Sequence, residues 1–241
     1  MKIWQKILNF ILPPRCVLCG KVLRDDQGIC DSCINNIEFL KLPICYRCGQ
    51  PLNEVTGQNN AHLLCARCLR TKRQVFRLSR SAFAYDDFSK KLILDFKFYD
   101  YTDLAALLAK MLYVAGNDIF QSGVDIIIPV PLHYTRLIKR KYNQSSLLAK
   151  ELSKLTGIKT DNFILRKKRR TKPQVECNGT ARLNNLKNAF IVKNPAKIKG
   201  KRVLLIDDVL TTGATLRECA VTLKRAGAKS VDNLTAARVI N

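Results

Sequence analysis

The chain has 241 residues, which is long enough for one ordinary domain and a small module. Its apolar fraction of 47% excludes a wholly disordered chain, and no run approaches the ~20 apolar residues of a transmembrane helix. The formal net charge of +23 predicts contact with polyanions such as nucleic acid, phosphorylated metabolites or an acidic membrane surface. A soluble enzyme with a basic, solvated surface has the same composition, so charge alone does not choose a partner.

The first predicted element is a short amphipathic helix. Apolar residues recur there at helical spacing: Trp4, Ile7, Leu8 and Ile11. Pro13 and Pro14 would end the helix, which we expect to pack on the body of the protein, with contact to a membrane surface as the alternative. The apolar run is short and no small-residue cleavage site follows it, so we expect no secretory signal and a cytoplasmic protein.

Four CxxC pairs dominate the next segment. Eight of the ten cysteines form them: Cys16/Cys19, Cys30/Cys33, Cys45/Cys48 and Cys65/Cys68. A disulfide framework would need an oxidising compartment, and a thioredoxin-like redox site would use a single pair. Each CxxC turn aims two thiolates at one ion, and two such turns complete a tetrahedral zinc site. We therefore predict two zinc ions, which are structural because four thiolates leave no open coordination position.

Two pairings of these turns are compatible with the spacing. Sequential pairing, which we favour, gives two zinc ribbons, whereas alternate pairing gives a cross-brace. Gly20 and Gly49 follow two of the pairs, where a knuckle turn favours positive φ. His62 is a possible metal ligand, but with eight cysteines available we expect it to be a bystander. Residues 1–75 are thus expected to form the N-terminal helix and a double zinc ribbon, with metal supplying folding energy.

Residues 76–241 carry the pattern of an α/β domain. Apolar strands are predicted, in chain order, at Ser81–Tyr85, Asp125–Val130, Phe163–Leu165, Ala189–Val192, Val203–Ile206 and Val231–Val239. Helices are predicted at Leu104–Leu112, at Leu148–Leu155 with Gly157 closing it, and at Thr215–Ala226. Continuous apolar strands that alternate with helices indicate a largely parallel sheet.

A basic run, Arg166–Lys172 (RKKRRTK), lies between two of the predicted strands and has six basic residues in seven. Its charge is suited to follow a nucleic-acid backbone. A solvated loop that keeps the protein soluble is the alternative. No aromatic residue interleaves the run, so base stacking is not predicted there.

The most informative stretch is Val203–Leu216 (VLLIDDVLTTGATL), which we interpret as a strand ending at Asp207 and Asp208, a loop and a helix. The loop residues are Thr211, Thr212, Gly213, Ala214 and Thr215. Ligands bind at such carboxyl ends of parallel strands, and a helix N-terminus with a nearby glycine suits phosphate. The carboxylates would repel phosphate, but they can accept hydrogen bonds from hydroxyls or attract Mg²⁺. The pattern therefore predicts a ligand with ribose hydroxyls beside a phosphate, and the alternative is an ordinary capped helix.

This stretch closely resembles the phosphoribosyl pyrophosphate (PRPP) signature of type I phosphoribosyltransferases. Together with the CxxC pairs and Pro129–His133 (PVPLH), it makes the chain from about Pro13 to Val239 resemble the ComF/GntX family. Further matching patches are Phe96-Lys97-Phe98, Arg136 with Arg140, Asn143-Gln144, Gln174, Arg182, Asn185 and Ala189-Phe190. The family pairs a double zinc ribbon with a phosphoribosyltransferase-like domain, and some members are linked to uptake of transforming DNA.

The resemblance implies a role for each part of the signature. Asp207 and Asp208 would contact the ribose hydroxyls of PRPP, which binds with Mg²⁺, and Thr211–Thr215 would hold the 5′-phosphate. The residues expected near pyrophosphate are Val130, Pro131, Leu132, His133, Arg136 and Arg140. For His133 a capping or surface role is an equal alternative. In related phosphoribosyltransferases, a segment placed like Arg166–Lys172 is a loop that closes over pyrophosphate.

The chain departs from the family pattern in two places. Lys141 stands where the family's Arg-Gly-Phe-Asn-Gln motif has glycine, so any role of a glycine backbone there is in question. The segment Val175–Cys177 lacks the family's usual leucine.

Two hypotheses about function follow. In the first, the protein is a phosphoribosyltransferase of nucleobase or nucleotide metabolism that uses PRPP, Mg²⁺ and an unidentified acceptor. In the second, which we favour, it is a competence-type factor with a functional phosphoribosyl site. Its partners would then be single-stranded DNA or the proteins of DNA uptake and recombination. The two hypotheses are compatible, and the fold does not decide between them because function resides in the site.

Overall fold

The computed structural model describes residues 13–24, 28–52, 62–71, 74–98, 104–168 and 188–240. In these ranges the helices are α1 (Asp31–Asn35), α2 (Ala66–Arg70), α3 (Asp87–Phe98), α4 (Leu104–Ala115), α5 (Asn117–Gln121), α6 (Tyr134–Arg140), α7 (Gln144–Thr156) and α8 (Ala214–Arg225). The strands are β1 (Ser79–Ala84), β2 (Ile126–Pro129), β3 (Leu165–Lys167), β4 (Phe190–Val192), β5 (Arg202–Leu210) and β6 (Ser230–Arg238). None of the helices described is long and apolar enough to cross a membrane. The helix predicted at Trp4–Ile11 lies outside the described residues.

Four strands form one parallel sheet in the order β1-β6-β5-β2. The predicted parallel α/β sheet is thereby confirmed. Strands β3 and β4 pair with each other in antiparallel register and form a separate two-stranded sheet. Arg166 and Lys167, the first two residues of the basic run, therefore lie on a strand outside the main sheet.

Side chains along β5 alternate between two cores because successive residues of a strand point to opposite faces. Leu204 and Ile206 pack in the core that α4 and α7 cover, whereas Val203 and Leu205 pack in the core that α8 covers. All four side chains are fully buried. Since each contributes roughly 1.5–3 kcal/mol of burial free energy, the two cores fix the position of the carboxyl end of β5.

The predicted end of β5 at Asp207 and Asp208 is wrong. The strand continues to Leu210, because β6 pairs alongside it and places Asp207 opposite Thr235 and Leu210 opposite Arg238. The two acids therefore lie within the last part of a paired strand, and the loop begins after Leu210. Backbone pairing, which the apolar pattern does not reveal, extends the strand past the continuous apolar run Val203–Ile206.

The cysteine-rich module packs directly on the outer edge of the sheet. Leu40 N donates to Ala82 O at 3.0 Å and Ala84 N donates to Glu38 O at 2.8 Å, so the module lies along β1. Its apolar residues continue the core formed with α3 and α4, and they are Leu18, Ile29 and Ile37. An edge strand that would expose unpaired backbone groups is thereby covered.

Candidate functional site

The eight paired cysteines gather in two groups of four. One group is Cys16, Cys19, Cys30 and Cys33, the other is Cys45, Cys48, Cys65 and Cys68, and within each group the Sγ atoms lie within 4.8 Å of one another. Two Sγ–Sγ distances, 3.7 Å for Cys19–Cys30 and 3.6 Å for Cys48–Cys65, are close to the ~3.8 Å edge of a tetrahedral zinc site with Zn–S bonds of ~2.3 Å. The groups fit two structural zinc ions in sequential ribbons, so the cross-brace pairing is wrong.

The surroundings of the cysteines agree with metal binding. Burial, followed by repulsion from Cys48 and Cys45, raises the pKa of the Cys68 thiol, so four thiolates share this space only when a cation neutralises them. Gly49 has the predicted positive φ of 67°, and a Cβ there would lie 2.6 Å from Ser79 O. Only glycine therefore allows this knuckle to approach β1 so closely.

His62 is not part of the second cysteine group. Its ring lies 4.5 Å from the ring of Tyr46 in an edge-to-face contact. The expectation that His62 is a bystander to the metal agrees with this position.

A cleft opens at the carboxyl end of the parallel sheet, where β2 and β5 end. It is lined by the end of α3, the loop after β2, the start of α7, one residue of β3 and the end of β5 with the first turn of α8. The lining residues are Lys97, Val130, Pro131, Leu132, Arg140, Gln144, Ser145, Lys167, Asp207, Asp208, Val209, Leu210, Thr211, Gly213, Ala214, Thr215 and Leu216. The structure thus brings the predicted acids, the predicted phosphate loop and most of the predicted pyrophosphate turn to one place.

The two acids of the cleft are in different electrostatic environments. Burial, and then the neighbouring Asp208, raise the pKa of Asp207 to about 7, although Ser145 Oγ donates a hydrogen bond to Asp207 Oδ1 at 3.0 Å. Asp208 forms an ion pair with Lys97, with 3.0 Å between Nζ and Oδ2. One carboxylate is thus paired with a cation, while the other is easily protonated near neutral pH.

The loop between β5 and α8 has the geometry of an anion-binding turn. Gly213 precedes the helix with φ of 74°, a left-handed conformation that favours glycine. A Cβ at Gly213 would lie 3.3 Å from Leu210 Cδ1, and Thr212 Oγ1 is 3.5 Å from the amide of Ala214. The first amides of a helix have no acceptor within the helix. The N-terminus of α8, with its partial positive charge, therefore lies at the cleft.

The segment Tyr142–Gln144 ties two walls of the cleft together by donating hydrogen bonds to backbone carbonyls. The bonds run from Tyr142 OH to Phe96 O (2.8 Å), from Asn143 Nδ2 to Val130 O (3.1 Å) and from Gln144 Nε2 to Lys97 O (3.2 Å). The end of α3 and the loop after β2 are therefore held against the start of α7.

The remaining predicted residues differ in their placement. Arg140 lines the cleft and donates to Gln144 Oε1 at 3.3 Å. His133 is only 6% exposed and is not among the lining residues, so a surface role for it is wrong. The side chain of Arg136 lies outside the described part of the chain, as do residues 169–172 of the basic run. Lys167, at the start of that run, lines the cleft.

Comparison with known proteins covers both modules. Residues 7–71 match the double zinc ribbon domain, and residues 142–239 match the phosphoribosyl transferase domain. Competence protein F of Haemophilus influenzae is 31% identical over 223 residues, which cover 90% of this chain and 93% of that protein. The chain belongs to the ComF family.

Other relatives and one solved structure are also similar. The DNA utilization protein YhgH of Escherichia coli is 33% identical over 91% of this chain and 95% of its own length. Competence protein ComFC of Bacillus subtilis is 28% identical over 90% of this chain and 87% of its own length. The glutamine PRPP amidotransferase of B. subtilis aligns with a TM-score of 0.38 and 20% identity, over 58% of this chain and 30% of that enzyme. The two matched domains show that this ComF member joins a double zinc ribbon to a phosphoribosyl transferase domain, which the structure builds on a parallel sheet.

The lysine that replaces the ComF family's glycine keeps the backbone of the turn. Lys141 has φ of 64°, in the left-handed region that glycine adopts without strain. The left-handed turn that leads into Tyr142–Gln144 therefore forms with lysine at this position. The second departure, at residues 175–177, lies outside the described residues.

Three polar residues of the cleft were given no role by the sequence. Lys97 and Gln144 lie in patches that match the ComF family. The match singles these residues out but does not indicate what they do. Ser145 gave no signal, because a serine shortly before a predicted helix is most simply interpreted as a capping residue. Its contact with Asp207 depends on the packing of α7 against β5.

Proposed function

We propose that this ComF protein binds PRPP with Mg²⁺ in the cleft. The ribose hydroxyls would bind Asp207 and Asp208, and the 5′-phosphate would bind the loop Thr211–Thr215. The pyrophosphate would lie beside the loop after β2, near Arg140. The observation that carries the proposal is that an acid pair and an anion-binding turn line one cleft, which suits a ligand having both hydroxyls and phosphate.

The cation and the acids fit each other chemically. Asp207 and Asp208 supply the hard carboxylate oxygens that Mg²⁺ prefers, and PRPP supplies phosphate oxygens to complete its shell. If the protein transfers the phosphoribosyl group, departure of pyrophosphate from C1′ needs positioning and charge stabilisation and no protein nucleophile. The residues available for this in the cleft are Lys97, Arg140 and Lys167.

The biological setting that we propose is DNA uptake, with the protein in the cytoplasm. Support comes from relatives that are named competence proteins and a DNA utilization protein. The net charge of +23 and the run Arg166–Lys172 support direct contact with single-stranded DNA. A phosphoribosyltransferase of nucleotide metabolism would instead release pyrophosphate with an acceptor base and bind little DNA at physiological salt.

Calorimetric titration with PRPP and Mg²⁺ tests the binding proposal, and the loop glycine provides a sharp variant. In Gly213→Val a branched side chain would occupy the turn, at φ of 74° and against Leu210. Gly200→Val is the matched control, because Gly200 has φ of 72° with open space around its Cβ position. We expect one PRPP per chain in the wild type and in Gly200→Val, and loss of binding in the folded Gly213→Val. Equal binding by both variants would mean that the turn is only a helix cap.

A further inference from the structure

Lys97 lines the cleft, although it takes no part in the contacts proposed for the ribose and the 5′-phosphate. Its Nζ lies 3.0 Å from Asp208 Oδ2, and the two side chains are only 17% and 14% exposed. Taking both charges out of water costs free energy that the pair recovers only in part, so stability alone does not explain the lysine. A cation placed there also competes with Mg²⁺ and with hydroxyl donors for Asp208.

The backbone around Lys97 is held in place from the start of α7. Gln144 Nε2 donates to Lys97 O at 3.2 Å, and Tyr142 OH donates to Phe96 O at 2.8 Å. These bonds satisfy carbonyls at the C-terminal end of α3, where a helix leaves them unpaired. The last turn of α3 therefore presents Lys97 to the cleft from a fixed position.

Lys97 lies on the same side of the cleft as Arg140 and Val130, two of the predicted pyrophosphate residues. Arg140 Nη1 donates to Gln144 Oε1 at 3.3 Å, so one amide side chain bridges Arg140 and the backbone of Lys97. Asn143 Nδ2 holds Val130 O at 3.1 Å on the same side. Lys97 and Arg140 thus lie on the side of the cleft formed by the loop after β2. The loop Thr211–Thr215, proposed to bind the 5′-phosphate, is a different segment of the lining.

We propose that Lys97 binds the pyrophosphate group of PRPP and releases Asp208 to the ribose hydroxyls as the ligand enters. The inference rests on the proposed function. Lysine exchanges a carboxylate for a phosphate oxygen, so no proton moves and the charge of each protein group is unchanged. The exchange removes the competition at Asp208 at the moment when its carboxylate is needed by the sugar.

Calorimetric titrations with three probes in Mg²⁺ buffer separate the parts of the site: PRPP, inorganic pyrophosphate and ribose 5-phosphate. Lys97→Gln should weaken PRPP and pyrophosphate by about tenfold to a hundredfold, which is the effect of losing one charge-assisted hydrogen bond. Affinity for ribose 5-phosphate should stay the same or rise, because that probe lacks the group that Lys97 binds and the lysine no longer competes for Asp208. Lys90→Gln is the control, because Lys90 is exposed and lies about two turns earlier on α3. Lys97→Arg should retain most of the pyrophosphate affinity.

A double-mutant cycle with Asp208→Asn distinguishes a direct contact from an indirect one. If Lys97 only neutralises Asp208, Lys97→Gln causes no further loss of pyrophosphate affinity once Asp208→Asn is present, and the inference is overturned. The direct contact predicts that the loss persists in that background. An equal loss for all three probes, or none, also overturns it. A wild-type protein that binds no PRPP defeats the proposed function as well, whereas normal PRPP binding by Lys97→Gln defeats this inference alone.

Discussion

Asp207 makes the stability of the folded protein depend on pH, and its surroundings set the sign of that dependence. Burial, and then Asp208, raise its pKa to about 7, whereas an aspartate in the unfolded chain titrates near about 4. The folded protein therefore holds the proton more tightly than the unfolded chain does. The stability gained from this proton is complete below about pH 4 and is lost as the pH rises to about 7.

The comparison of wild type with Asp207→Asn isolates this effect. Between pH 5 and pH 7.5 the wild type should lose about 2 kcal/mol of unfolding free energy relative to the variant, since one pKa unit corresponds to about 1.4 kcal/mol. Urea unfolding at a series of pH values measures the difference. Parallel pH profiles for the two proteins would show that Asp207 is already ionised in the folded state at pH 5.

Lys141 and Asn188 are the two non-glycine residues of positive φ in the described ranges, and lysine is the less suited of the two to that conformation. A residue with a Cβ in the left-handed region costs ~1–2 kcal/mol, whereas glycine there costs only the extra entropy of its unfolded chain. Lys141→Gly should therefore stabilise the protein by about 0.5–1 kcal/mol, measured by urea unfolding. A loss of stability instead would mean that contacts of the lysine side chain outweigh the strain.

At the scale of elements, β3 carries the first two residues of the basic run, Arg166 and Lys167, and pairs with β4. Lys168 N donates to Ala189 O at 2.8 Å, which extends this pairing by one hydrogen bond. Lys167 lines the cleft, whereas Lys168 is exposed. Substitution of Lys168 therefore leaves the lining of the cleft unchanged.

Replacing Lys168, Arg169 and Arg170 with Gln, while Lys167 is kept, tests the contact with DNA. Each phosphate neutralised on a single strand contributes about −0.7 to the log–log salt slope, so the slope should flatten by about 2. Affinity should fall alike for different DNA sequences, because phosphate contacts do not read bases. Titrations of labelled single strands between low and physiological salt give the slope, and PRPP binding serves as the control for an intact cleft. A wild-type slope and affinity in the variant would exclude this run from DNA binding.

Periodicity predicted most of the elements, but not how they pair. The strand at Val203–Ile206, the helix closed by Gly157 and the cysteine knuckles were each predicted from local residues, because hydrophobic spacing and positive-φ glycines are local signals. The extension of β5 to Leu210 and the separate β3–β4 sheet depend on partners far along the chain. The contacts of Ser145 and Lys97 with the acids likewise depend on how distant elements pack, which local residue patterns do not encode.

At the scale of the whole molecule, Arg238 at the end of β6 connects the second cysteine group to β5, the strand that carries the acid pair. Its guanidinium donates to Cys48 O at 2.5 Å and to Gln50 Oε1 at 2.7 Å, and the residue is 7% exposed. Zinc with four thiolates has a net charge of −2, which gives this buried cation its counter-charge. Arg238 also lies opposite Leu210 in the β5–β6 pairing, next to the phosphate loop.

Removal of zinc should therefore affect more than the module itself. On chelation we expect the two zinc ions per chain to be lost, and the region before about residue 70 to unfold. Hydrogen exchange should also show lost protection in β1, because Ala82 and Ala84 pair with the module. Protection of β2, on the other edge of the sheet, should change least. Unchanged protection of β1 after both ions have left would show that the sheet does not depend on the ribbons.

The central claim is that the acid pair on β5 holds the sugar of PRPP, and titration of the double variant Asp207→Asn/Asp208→Asn tests it most directly. Each carboxylate lost removes a charge-assisted acceptor of ~1.5–3 kcal/mol, so the PRPP affinity in Mg²⁺ should fall by about two decades or more while the fold is kept. Asp87→Asn, at an exposed acid in the first turn of α3, should bind as the wild type does. Wild-type affinity in the double variant would contradict the account and place the ligand elsewhere.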